Sequence, residues 1–143
     1  MTFELVLAVA FLNTPEEIPS DIAEVVFAQL ITQNSPEFVL CLRNNDADPA
    51  PSLIKKLWRR DRTVVPASHC RERTDMVLSD EEIKTGRPAH LLSISKMVWN
   101  SGSDVTVQAL DHVSGKNATF WTAHLTRNHA GWQLISFHLD AEA

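Results

Sequence analysis

The chain has no tyrosine, only four glycines and only two cysteines among its 143 residues. So little glycine argues against a nucleotide-dependent enzyme, because phosphates are cradled by glycine-rich loops. The TGRP stretch at 85–88 has neither the length nor the lysine and hydroxyl ending of such a loop. No apolar run approaches the roughly 20 residues that span a bilayer. The longest candidate, LVLAVAFL at 5–12, follows Glu4 rather than a basic residue, which is unlike a secretory leader, and reads as core. A surplus of cations is also missing: the net charge is -5, unsuited to a general nucleic-acid binder that must neutralise many phosphates. Neither HExxH nor paired CxxC spacing occurs, so nothing fixes a metal geometry. The expectation is a protein without cofactor or metal that meets neither nucleic acid nor membrane.

What is present is the composition of a folded domain. Apolar residues make up 44% and charged residues 22%, and the length suits one domain over 1–143. In TPEEIPSDIAEVVFAQLITQ, 14–33, Thr14 with Glu17 matches a capping box and Ser20 offers a second helix start. From Ser20, Ile22, Val25, Val26, Gln29 and Leu30 fall on one helical face, and Pro36 then turns the chain toward the strand-like EFVLCL. SLIKKLWRR reads as a short amphipathic helix with Leu53, Ile54, Leu57 and Trp58 in one stripe. Its basic run, Lys55, Lys56, Arg59, Arg60 and Arg62, suits a solvated helix end where cations meet the dipole. TVVPAS is a brief edge segment, because Pro66 has no N–H to give a ladder. Residues 79–85 are expected to make a helical turn or two after Ser79.

The last third carries the clearest pattern. HLLSISKMVW, DVTVQALDHV, ATFWTAHLTR and WQLISFHL are separated only by NSGS, SGKN and NHAG, so they pair as antiparallel hairpins. The fold class is therefore α+β: a curved antiparallel sheet of four or more strands packed against N-terminal helices.

Alternation puts Phe120, Thr122 and His124 on one face of the third of these strands, with Ser136 and His138 available from the last. An aromatic ring among hydrogen-bonding groups suits ligand binding in a sheet cavity or on a sheet face. For acid–base chemistry the candidates are His124 and Asp111. Trp99, Trp121 and Trp132 are the aromatic anchors a protein-binding sheet face would use. In VVPASHCRER, 64–73, adjacent His69 and Cys70 point to opposite sides of an extended chain, which weakens a catalytic thiol. Cys41 and Cys70 fit either one disulfide or two buried thiols.

The combination DPAPSLIKKL, VVPASHC, KTG, MVW and GW resembles a pattern of small bacterial α+β proteins, one that brings no chemistry with it. The order of helices before long strands is similar to the NTF2-like superfamily, in which a bent sheet and helices enclose a cone. That resemblance implies either a noncatalytic binding protein or a small isomerase or dehydratase with an acidic or histidine base. A protein-interaction module of inhibitor or immunity type is the further alternative. The preferred reading is a noncatalytic binding protein. Its partner is a small apolar or mixed ligand, or another protein, and homodimerisation through the sheet is expected. Cytoplasm is the default location, and export applies if Cys41 and Cys70 are joined and a signal has been removed.

Overall fold

The structure is a computed structural model that describes residues 16–59, 61–72, 77–79, 87–114 and 117–142. Helix α1 spans Ser20–Thr32. Ser20 is its first residue, not its cap: Pro19 occupies the N-cap position and no side chain caps the helix. Asp21 sits in the first turn, where a carboxylate complements the exposed N–H groups. Ile22, Ala23, Val26, Phe27, Leu30 and Ile31 are buried, so the apolar face is rotated from the expected stripe toward Phe27. At the far end Asn34 donates through Nδ2 to Leu30 O at 2.9 Å, satisfying an otherwise unpaired helix carbonyl.

Strand β1 (Val39–Asn44) leads to helix α2 (Pro51–Leu57), then to β2 (Thr63–Pro66). Pro51 starts α2 at a position where its missing N–H costs nothing. Leu53 and Leu57 are buried, while Trp58 lies beyond the helix in extended geometry and is 57% exposed. The basic run behaves as a helix end: Arg59 donates to the Lys56 and Trp58 carbonyls, and Lys56 stands 3.6 Å from Glu24. A 3-10 turn at Ala67–His69 precedes β3 (Cys70–Glu72), which pairs antiparallel with β4 (Val77–Ser79). Long strands follow: β5 (Ala89–Ser101), β6 (Asp104–Ser114), β7 (Asn117–Asn128) and β8 (Gly131–Glu142).

The main sheet has six strands in the order β2-β1-β5-β6-β7-β8. β5 to β8 form the antiparallel meander, but β1 runs parallel to both β2 and β5. The sheet is thus mixed, which corrects the expectation of a purely antiparallel one. Parallel strands are covered on both faces, and β1 shows the signature: Val39, Leu40, Cys41 and Leu42 are all fully buried. The apolar segment 5–12, the Thr14 half of the capping box and residues 80–86, where the helical turn after Ser79 was expected, lie outside the described residues; the chain leading to Ser79 is strand β4.

Two cores result. Helix α1 packs Ile22, Val26, Phe27 and Leu30 against Leu40, Leu42, Leu92, Ile94, Val105, Val107, Ala123 and Leu125, which defines the helix face of the sheet. On the opposite face, Val39, Cys41, Ala89 and Leu91 are covered by Val77, Ala67 and Cys70. Cys41 and Cys70 are joined by a disulfide closing a separation of 29 residues. The bond fastens β3 over the second core. Asn44 pins the entry to α1, its side-chain amide accepting from Ile18 N and donating to Ile18 O, both at 2.8 Å.

Candidate functional site

The second core covers only the β1 and β5 end of its face. Farther along, the register sets Thr106, His124 and Ser136 in one row across β6, β7 and β8. Gln108, Thr122 and His138 make the next row, and Leu110, Phe120 and Ala141 the one after. Directly paired residues share a face. The five residues expected to bind a ligand, Phe120, Thr122, His124, Ser136 and His138, therefore stand together on the side away from α1. Phe120 is 41% exposed, and the site is an open sheet face.

Polar contacts organise this face. Nε2 of His124 lies 2.8 Å from Oδ1 of Asp104, which also accepts from Asn100 Nδ2 at 3.0 Å. The hydrogen bond from Asn100 is the main cause that holds the Asp104 carboxyl below its ordinary value of 3.8; desolvation opposes it, and the hydrogen bond and charge of His124 add to the lowering. Thr122 Oγ1 donates to Asp140 Oδ2 at 2.5 Å, and Asp140 stands 3.9 Å from His138 Nε2. Hydroxyl, amide, imidazole and carboxylate groups are thus interleaved around one exposed phenyl ring.

Asp111 does not join His124. It pairs across the sheet with Leu92, a helix-face residue, and its Oδ1 lies 3.0 Å from His90 Nδ1. That approach departs from the hydrogen-bond axis, so the pair is a close polar contact and not a well-aligned bond. Asn34 donates to the other carboxylate oxygen at 3.1 Å, and Phe38 stacks on the His90 ring at a centroid distance of 4.1 Å. Arg62 donates to Asn34 O. His90 and Asn34 are buried, and the trio ties the end of α1 to β5 and β6. The sequence reading named Asp111 but missed His90 and Asn34, because partners this far apart in the chain meet only through packing. Asp104 was missed as the partner of His124, although counting the hairpin register back from the NSGS turn brings the two near each other.

Trp99, Trp121 and Trp132 lie on the helix face, not with the open-face residues. Trp99 pairs with Val105, and Trp121 with Ala109, both core residues of that face. Trp121 stacks on Phe137 at 4.9 Å, and Trp132 packs against the main core. His69 belongs to the 3-10 turn, and Cys70 is consumed by its disulfide, which removes the thiol a nucleophile would need. Among the described residues no group of three or more His, Cys, Asp or Glu is arranged to hold a metal ion, and no helix is long and apolar enough to cross a membrane. Clefts of about 400 Å³ and 370 Å³ open elsewhere, the first between α1 and α2 at Ser20, Glu24 and Lys56, the second beside Trp99. No family model, no curated protein and no solved structure matches this chain.

Proposed function

We propose that this domain is a noncatalytic binding protein that engages a protein partner through the open face of β6, β7 and β8. One observation carries the reading: Phe120, Thr122, His124, Ser136 and His138 share a face that neither helix covers. An exposed aromatic ring within a field of polar groups resembles an interface anchor inside its polar rim. The finer fold reading, an NTF2-like cone, draws support from the register shifts in β5, β6 and β8 pairings, since bulges bend long strands around a core. The Cys41–Cys70 disulfide favours an oxidising compartment, so the proposal includes export. A second copy of the chain is one partner that satisfies the reading.

Photocrosslinkers placed at Thr122 and His138, with a control at exposed Ala28 on α1, test this in the source cells. Adducts confined to the sheet positions and lost with Phe120→Asp are expected. Equal adducts at Ala28 would remove the reading.

The competing reading, a small acid–base enzyme of NTF2-like type, rests on the 2.8 Å contact between His124 and Asp104. A turnover screen over isomerisation, dehydration and hydrolysis substrates separates the two. Activity that survives purification and disappears in His124→Ala would favour the enzyme.

A further inference from the structure

Away from the open face, at the end of the sheet beyond α1, two residues other than glycine among the described residues adopt positive φ: Asn45 at 53° and Lys96 at 50°. Asparagine tolerates this region, whereas lysine does so at a cost. Lys96 and Met97 sit between the pairs Ser95 with Gln108 and Val98 with Thr106, so two residues of β5 face Val107 alone. That is a β-bulge whose left-handed position glycine normally fills. The sequence places a lysine there instead, and its side chain makes no hydrogen bond or ion pair among the described residues.

Both positive-φ residues line one cleft of about 370 Å³, together with Glu16, Glu17, Met97 and Trp99. Trp99 is 48% exposed and forms an aromatic wall. The wall is braced from behind: Trp132 meets it edge-on at 5.6 Å, Arg127 lies 5.2 Å from the Trp132 ring centre, and Arg127 is itself held by Gly102 O at 3.0 Å. Asn45 donates to Glu16 O and so fixes the acidic side of the cleft to the turn after β1.

The charges restrict what fits. A simple cation would gain Trp99 and the carboxylates but meet Lys96, and a simple anion would gain Lys96 but meet Glu16 and Glu17. A molecule carrying both charges a few bonds apart satisfies every wall, its alkylammonium against the indole face and a carboxylate and its acidic group on Lys96. We propose that this cleft binds a small zwitterion bearing an alkylammonium and a carboxylate or phosphate. The strained backbone at Lys96 serves to aim the ammonium that receives the acidic end. This site is independent of the open-face reading.

The test is calorimetric titration of the full chain with glycine betaine and with phosphocholine, with choline and inorganic phosphate as single-charge controls. Saturable low-millimolar or tighter binding is expected for at least one zwitterion, with each control about tenfold weaker. Lys96→Gly should weaken it about tenfold without lowering the melting temperature, because glycine suits the bulge. Trp99→Ala should weaken it similarly, and the Trp99 indole N–H resonance should shift on titration. The proposal is overturned if neither zwitterion saturates, if choline alone binds as well, if Lys96→Gly binds like the parent, or if only phosphatidylcholine vesicles are bound.

Discussion

Nε2 of His124 lies 2.8 Å from Oδ1 of Asp104 on the open face of the sheet, and Asn100 donates to the same carboxylate oxygen. The folded state therefore holds Asp104 ionised to lower pH than the unfolded chain does. For a carboxyl depressed in this way, the contribution to stability is fully present above its ordinary value of 3.8 and is lost as pH falls through the lower folded value. Carboxyl titration by NMR should find Asp104 below 3.8, with both Asn100→Ala and His124→Ala moving it upward. An unmoved titration in Asn100→Ala would contradict the assignment of its main cause.

Asp111 faces the other way, into the contact with His90 and Asn34. Asp111→Ala leaves two buried polar side chains without their carboxylate, at an expected cost of about 1 to 3 kcal/mol in urea unfolding. Asp111→Leu with His90→Phe, which removes both members and keeps an aromatic ring on Phe38, should recover part of that loss. If Asp111→Ala unfolds at the parent midpoint, the trio is not holding α1 to the sheet.

The disulfide closes a loop of 29 residues around β1, α2 and β2. Replacing both cysteines by alanine should lower stability by about 3 kcal/mol through the entropy returned to the unfolded chain. Hydrogen exchange should show protection disappearing first in β3 and β4, which cover the smaller core, while β6 and β7 keep theirs. Simultaneous loss everywhere would mean that the second core is not a separate unit.

Lys96 gives a test that depends on the backbone alone. Lys96→Gly should keep or raise stability, by up to about 1 kcal/mol, and Lys96→Val should lower it. A destabilised glycine variant would show that the left-handed bulge is not strained.

The antiparallel meander was legible because its signals are local. NSGS, SGKN and NHAG are too short to connect anything but neighbours, and period-2 alternation placed Phe120, Thr122 and His124 on one side. The helix starting at Ser20 was legible for a similar reason, in its 3.6-residue spacing and the proline before it. The NTF2-like cone stands as a proposal, and the parallel pairing of β1 with β2 and β5 is where local reasoning ended. EFVLCL reads as a strand, but nothing within it says that it will lie between β2 and β5.

Facing was decided by the same distinction. The sequence alternation showed that Thr122 and His124 stay together, yet not whether helix or solvent would cover them. A single bulge reverses the facing of every residue beyond it, and the register shift between His112 and Ser114 separates Asp111 from any count made through the SGKN turn. What the chain determined by itself was its elements and their local neighbours, because turn chemistry and periodicity act over a few residues. Only the tertiary structure decided which face lies open, which aspartate meets which histidine, and that Cys41 reaches Cys70, because those contacts join segments whose approach is fixed by packing around a shared core.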